Sequence, residues 1–216
     1  MQGLQPSAIR EILKFTADPA VISFAGGNPA PEAFPVDKIR EITDSILEND
    51  PVGALQYSVS EGYTPLRDWI KDDLYAKGCF NWNNDDVIIT AGAQQCIEMA
   101  AKVICNEGDA IICESPSFIG SLNAFRSYNS KLVGVPMDDE GMDIVMLEDA
   151  LKKNPRTAFI YIIPNFQNPT GKTTSLERRK AILELAYKYN VLILEDNPYG
   201  DLRFAGDDVP NLRSLD

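Results

Sequence analysis

Asn168, Asp196 and Tyr199 are the residues of this chain best placed to do chemistry. Each lies just beyond an apolar, β-branched run. Phe159-Ile160-Tyr161-Ile162-Ile163 leads into Pro164-Asn165-Phe166-Gln167-Asn168-Pro169-Thr170-Gly171, and Val191-Leu192-Ile193-Leu194 leads into Glu195-Asp196-Asn197-Pro198-Tyr199-Gly200. Such runs read as buried strands, so the amide, the carboxylate and the phenol sit in loops at strand ends. Together they suit a flat, charged heteroaromatic ligand. A carboxylate can hold a proton on a ring nitrogen, while an amide and a phenol face a phenolate oxygen. Pyridoxal phosphate is such a ligand. Its chemistry also needs a lysine to form a Schiff base. Lys172 leads into a surface helix, and Lys102 and Lys180 fall inside predicted helices. None is a good candidate.

Two further loops carry candidates. Gly92 allows a sharp turn into a helix beginning near Ala93, and the free N–H groups of that helix start can hold a phosphate dianion. Phe118 follows a Ser-Pro turn and can stack on a flat ring. Each signal also has an ordinary structural reading. Gly92 is then a strand-to-helix turn, Phe118 a core aromatic, Asn168 turn chemistry before Pro169, and Tyr199 a half-buried tyrosine with its hydroxyl in water. The order of the four carries more weight than any one of them: phosphate turn, stacking ring, amide, then acid plus phenol, all at strand ends.

The elements that must position them alternate regularly. Strands are predicted at Val87–Thr90, Ala110–Cys113, Leu132–Val135, Ala158–Ile163 and Val191–Leu194. Helices are predicted at Gln94–Cys105, Ile119–Tyr128, Ile144–Lys153 and Thr174–Tyr189, the last opened by a Thr174/Glu177 capping box. Continuous apolar strands imply burial on both faces. The fold class is therefore α/β: three αβα layers around a mostly parallel sheet, with ligands expected at the carboxyl ends of the strands. Earlier in the chain, helices are predicted at Ser7–Phe15, Asp37–Leu47 and Thr64–Lys77, a short strand-like run at Val21–Phe24 and a loop over Gly53–Gly62. The last of these helices carries Leu66, Trp69, Ile70 and Leu74 on one face. Residues 1–48 read as an N-terminal arm with part of a small domain, and 49–216 as an incomplete large domain.

Composition narrows the function. The 216 residues are 44% hydrophobic and 24% charged, ordinary for a globular protein, and carry a net charge of −12. Such a surface repels phosphate backbones and anionic membranes, so neither nucleic acid nor a membrane is an expected partner. There is no histidine, which removes Ser-His-Asp and Cys-His catalysis and histidine metal sites; no metal is expected. Cys79, Cys96, Cys105 and Cys113 form no C-x-x-C pair and read as reduced structural thiols. No signal segment or membrane span is visible, so a cytoplasmic protein is expected.

Five segments carry a family resemblance: Ser23-Phe24-Ala25-Gly26-Gly27-Asn28-Pro29-Ala30-Pro31, Leu55-Gln56-Tyr57-Ser58, Thr90-Ala91-Gly92-Ala93-Gln94-Gln95, Asn165 to Gly171, and Glu195-Asp196-Asn197-Pro198-Tyr199. On these the chain resembles a class I/II aminotransferase of the fold-type I pyridoxal-phosphate superfamily, within the 2-aminoadipate, kynurenine and aromatic aminotransferase group. The resemblance runs from Ser7 to Asp216, and the last two motifs are its most specific. It implies pyridoxal 5'-phosphate as cofactor, amino acid and 2-oxo acid substrates, and a homodimer. It also implies roles. Ala93 and Gln94 hold the phosphate, Phe118 stacks on the ring, and Asn168 meets the phenolate oxygen and lies near the substrate carboxylate. Asp196 pairs with the ring nitrogen and Tyr199 with the phenolate oxygen. Tyr57 reaches the phosphate of a neighbouring subunit, and Gly27 lines the substrate pocket.

In the family, a Ser-x-x-Lys segment with the Schiff-base lysine follows a stretch similar to Val209–Leu215. The sequence stops at Asp216, before that segment, before the arginine-bearing small domain and before two further sheet strands. A C-terminally truncated chain, inactive alone, is therefore expected. By analogy the missing strands separate Val87–Thr90 from the rest of the sheet. A carbon–sulfur β-lyase, a regulatory aminotransferase-like domain and a non-catalytic module are the alternative functions.

Overall fold

The computed structural model describes residues 20–22, 27 and 29–216. The helix expected at Ser7–Phe15 lies outside them, as do Ser23 and Phe24; Val21 and Ile22 are exposed and irregular. The described residues fall in two compact units, one ending at Tyr63 and one running from Thr64 to Asp216.

In the first unit a 3-10 turn, Pro31–Ala33, precedes helix α1 (Val36–Asn49) and the short helix α2 (Pro51–Leu55). The loop expected from Gly53 is thus helical at its start. The Asp50 side chain accepts the Gly53 N–H at 3.0 Å and Pro51 occupies the first turn, two features that nucleate a helix end.

The second unit opens with α3 (Thr64–Ala76), closed by Gly78 at φ +70°. Leu66 and Trp69 on its expected core face are 43% and 65% exposed. Beyond α3, Trp82 packs edge-on against Phe80, with ring centres 5.0 Å apart, and lies 6.3 Å from Tyr75. Val87–Thr90 forms no strand; it has no ladder partner among the described residues. A strand exists only by pairing, so its apolar run alone is insufficient.

Thereafter the alternation follows the sequence closely: α4 (Ala93–Ile104), β1 (Ala110–Ser115), α5 (Ile119–Ser127), β2 (Lys131–Asp138), β3 (Gly141–Met142), α6 (Ile144–Lys153), β4 (Thr157–Ile162), α7 (Leu176–Tyr189), β5 (Leu192–Glu195) and α8 (Leu212–Leu215). The sheet order is β3-β2-β1-β4-β5, parallel except for the β2–β3 hairpin. No pattern in the sequence marks that hairpin. Residues of β1 and β4 alternate between two cores. Ile112, Ile160 and Ile162 join α6 and α7 on one face, through Leu147, Leu151 and Ile182. Ile111, Cys113, Phe159, Tyr161 and Ile163 join α4 and α5 on the other, through Ile97, Ala101 and Phe125. These are the three layers expected. Each large side chain buried this way contributes roughly 1.5–3 kcal/mol.

Helix α7 begins two residues later than expected. Ser175, not Thr174, is its N-cap and accepts the Arg178 N–H at 3.3 Å. Thr174 is buried, and its own N–H is spent on the Pro164 carbonyl at 2.8 Å, which fixes it as part of the loop leaving β4.

Candidate functional site

Parallel strands bring their carboxyl ends to one edge, where Phe118, Asn168, Asp196 and Tyr199 follow β1, β4 and β5, while Gly92, Ala93 and Gln94 open α4 and are tied to α5 through Gln94. Gly92 caps α4 at φ +84°, a conformation that favours glycine. It offers no side-chain cap, so the first-turn N–H groups around Ala93 and Gln94 have no side-chain partner and are open to an anion. Gln94 Nε2 donates to the Gly120 carbonyl at 3.2 Å, joining the start of α4 to that of α5. Phe118 is the N-cap residue of α5 and packs partly into the core shared by α4 and α5. A Cβ on Gly120 would sit 2.6 Å from the Phe118 ring and 2.7 Å from Gln94 Oε1. Gly120 therefore keeps a cradle between the two predicted contacts.

Asp196 follows β5, and its N–H donates to the Ile162 carbonyl at 2.9 Å, extending the β4–β5 ladder by one bond. Strand parity turns its side chain to the face of Leu194 and Tyr161. There the Tyr161 hydroxyl donates to Asp196 Oδ2 at 2.7 Å and stands 2.8 Å from Ser121 Oγ on α5. Among the described residues the side-chain partner of this acid is a phenol. Burial raises the Asp196 carboxyl above its ordinary range, and the bond from Tyr161 opposes that rise. Asp196 Oδ1, the Asn168 side-chain amide and the Tyr199 hydroxyl make no hydrogen bond among the described residues.

Asn168 is half-buried in a loop that Gln167 pins on both sides. Gln167 Nε2 donates to Glu114 Oε2 at 3.1 Å and to the Pro116 carbonyl at 2.9 Å, while its Oε1 accepts the Thr170 N–H and hydroxyl. The loop closes through Gly171 N–H to the Gln167 carbonyl, and the Asn168–Pro169 bond is cis. Glu114 is buried, also accepts the Ile163 N–H at 3.1 Å, and leaves Oε1 without a partner. Burial lifts its carboxyl to about 7.

A second network fixes the loop after β5. Buried Arg179 donates to the carbonyls of Pro164, Thr174, Val209 and Pro210 and to Asn165 Oδ1. Asn165 in turn donates to Asn197 at 2.8 Å, and Asn197 to Asn211 at 3.2 Å. The Glu195 carboxylate accepts the N–H groups of Leu212 and Arg213. The residues flanking Asp196 are thus both anchored.

Tyr57 and Gly27 lie in the first unit, both exposed. Lys172 is tied to the Asp138 carbonyl and Asp139, and Lys180 to Glu177. Two cavities of about 470 and 600 Å³ are lined by neither Gly92, Phe118, Asn168 nor Asp196; the candidate site is the open edge of the sheet. Among the described residues no cluster of Cys, Asp and Glu could hold a metal, and no helix is long and apolar enough to cross a membrane.

Sequence reasoning missed Glu114, Gly120, Ser121 and Tyr161. A signal existed for two of them: Tyr161 is the one hydroxyl in the apolar run Ala158–Ile163, and Glu114 ends another such run.

Known proteins give this edge a family. The model of aminotransferase class I and II matches residues 20–215. Aromatic-amino-acid aminotransferase 1 of Thermococcus litoralis is 42% identical over 99% of this chain and 52% of its own length. The kynurenine aminotransferase of Pyrococcus horikoshii superposes with a TM-score of 0.91 at 37% identity, covering 100% of this chain and 54% of that one. The α-aminoadipate aminotransferase LysN of Thermus thermophilus, solved with N-(5'-phosphopyridoxyl)-L-leucine, gives 0.84 at 39% identity, over 98% and 51%. The chain belongs to the class I and II aminotransferases. It spans about half the length of the relatives it matches.

Proposed function

We propose that this chain is the cofactor-holding part of a pyridoxal-5'-phosphate-dependent aminotransferase that moves an amino group from an amino acid to a 2-oxo acid. Residues 49–216 supply an incomplete large domain and 1–48 the arm with part of the small domain. The observation that carries the reading is the chain of contacts from Asp196 through Tyr161 and Ser121 to the helix start bearing Phe118, with Gln94 beside it. The residues fit the cofactor. Gly120 leaves a cradle that a Cβ would fill, and Asp196, Asn168 and Tyr199 keep unpartnered polar atoms.

When bound, pyridoxal 5'-phosphate supplies an electron sink for the bond broken at the substrate carbon. Asp196 accepts the ring N–H and so keeps that proton in place. Asn168 and Tyr199 donate to the phenolate oxygen, and Asn168 also lies near the substrate carboxylate. The α4 N-terminus at Gly92 and Ala93, with Gln94, takes the phosphate. Phe118 covers one ring face. Tyr57 completes the phosphate site of a second subunit in a homodimer, and Gly27 lines the substrate pocket. Lys172 and Lys180 are tied to acidic partners and Lys102 lies in the last turn of α4, so the chain alone should transfer no amino groups.

The test is binding of pyridoxamine 5'-phosphate, which needs no lysine, measured calorimetrically on the chain and on Asp196→Ala. A charge-assisted hydrogen bond is worth roughly 1.5–3 kcal/mol, so affinity should fall at least about tenfold. Unchanged affinity removes Asp196 from the site.

A further inference from the structure

Among the described residues the Asp196 carboxylate has one oxygen engaged and one without a partner. Tyr161 has a single hydroxyl proton, and the geometry gives it to Asp196 Oδ2 at 2.7 Å. Ser121 Oγ, 2.8 Å from the same phenol oxygen, must then donate to it. Two of the three groups are deep in the core: Ser121 and Tyr161 are fully buried, and the Tyr161 ring meets Phe125 edge-on at 5.2 Å, while Asp196 is half-buried at the rim. In such surroundings consecutive hydrogen bonds polarise one another. The row Ser121 to Tyr161 to Asp196 can run in two directions. With Asp196 ionised, both hydroxyls point toward it. With Asp196 protonated, the row reverses, Asp196 donating to Tyr161 and Tyr161 to Ser121.

The geometry points to Tyr161 as a positioning residue for Asp196: held by Ser121, its hydroxyl occupies Oδ2, favours the ionised acid and leaves Oδ1 to accept the ring N–H of the bound cofactor. This rests on the cofactor reading above. It deepens that reading by assigning the protonation of the ring to a hydroxyl that never touches the ligand. Burial drives Asp196 toward its neutral form. A neutral Asp196 would meet the ring N–H with an uncharged oxygen, a weaker acceptor than the carboxylate. Tyr161, itself far too weak an acid to ionise after burial, supplies the opposing bias.

Tyr161→Phe keeps the ring and its packing and removes only the hydroxyl. Two readouts decide. In the chain without ligand, carboxyl-¹³C NMR should show Asp196 titrating at higher pH in Tyr161→Phe, and Ser121→Ala should move it in the same direction by less. For binding, the probes are pyridoxamine 5'-phosphate and its analogue with carbon in place of the ring nitrogen. Tyr161→Phe should weaken the first by up to about tenfold, the worth of the charge-assisted bond from the ring N–H to Asp196 that it supports, and leave the second unchanged. An equal fall for both probes means a structural role and overturns the proposal, as does an unmoved Asp196 titration. If the unmodified chain binds neither probe, the cofactor reading fails and the proposal falls with it. A moved Asp196 titration would then show that the fault lies with the ligand and not with the hydroxyl row. Should Tyr161→Phe not fold, Ser121→Ala carries the same pair of tests.

Discussion

At Glu114 the protein holds a carboxyl whose protonation changes near neutrality. Its ordinary value is about 4.5 and burial lifts it to about 7. Between those values the folded chain binds a proton that the unfolded chain has released, so stability falls as pH rises through that window. The full effect is on the order of 3 kcal/mol, and the shift at Asp196 has the same sign. Glu114→Gln keeps an oxygen for the Ile163 and Gln167 donors and should flatten the stability profile between pH 4.5 and 7; urea titrations across that range check it, and an unchanged slope would contradict it. Gly120→Ala places a methyl against Phe118 and Gln94. The overpacking should cost about 1–3 kcal/mol and weaken pyridoxamine 5'-phosphate binding, both accessible to calorimetry. Asn168 and Asp196 are legible from sequence because an amide or a carboxylate just past an apolar run stands out against its neighbours. Tyr161 leaves a fainter signal, one hydroxyl in an apolar run, and Ser121 leaves none, because a serine in a mixed helix shows no contrast until packing brings it to Tyr161. Gly120 is hidden for a related reason: only the packed structure shows what its missing Cβ would strike.

Among elements, the alternation of strands and helices from α4 to β5 is readable because two-sided burial leaves unbroken apolar runs. Val87–Thr90 shows the limit of that signal: its composition is that of a strand, but pairing depends on a neighbour far away in sequence. The β2–β3 hairpin escapes because β3 is too short to leave a pattern. Helix α7 and its flanking loops are tied together by Arg179, which among the described residues has carbonyl and amide acceptors and no carboxylate bound to it. Arg179→Met should leave several buried acceptors unpaired, each worth about 1–3 kcal/mol, and loosen the loops on both sides of Asp196. Hydrogen exchange at Asn165 and Asn197 would report it. Ser175→Ala, which removes only the helix cap, should cost about 1 kcal/mol. Strand β5 pairs with β4 on one side only among the described residues, and Leu192 is 60% exposed. An open apolar edge invites pairing with another chain. Leu192→Lys should therefore reduce self-association of the isolated chain in light scattering.

For the whole molecule, both tryptophans lie outside the layered sheet. Trp69 is on α3 and 65% exposed, and Trp82 is 51% exposed beside Phe80 and Tyr75. Intrinsic fluorescence is therefore a reporter of the α3 region and not of the two cores around β1 and β4. On denaturation, a tryptophan emission curve and a far-ultraviolet dichroism curve follow different parts of the chain. If the α3 region detaches before the sheet opens, the two midpoints separate, and neither alone gives a two-state stability. Tyr161, hydrogen-bonded to Asp196 at 2.7 Å, is a native fluorophore in direct contact with that acid.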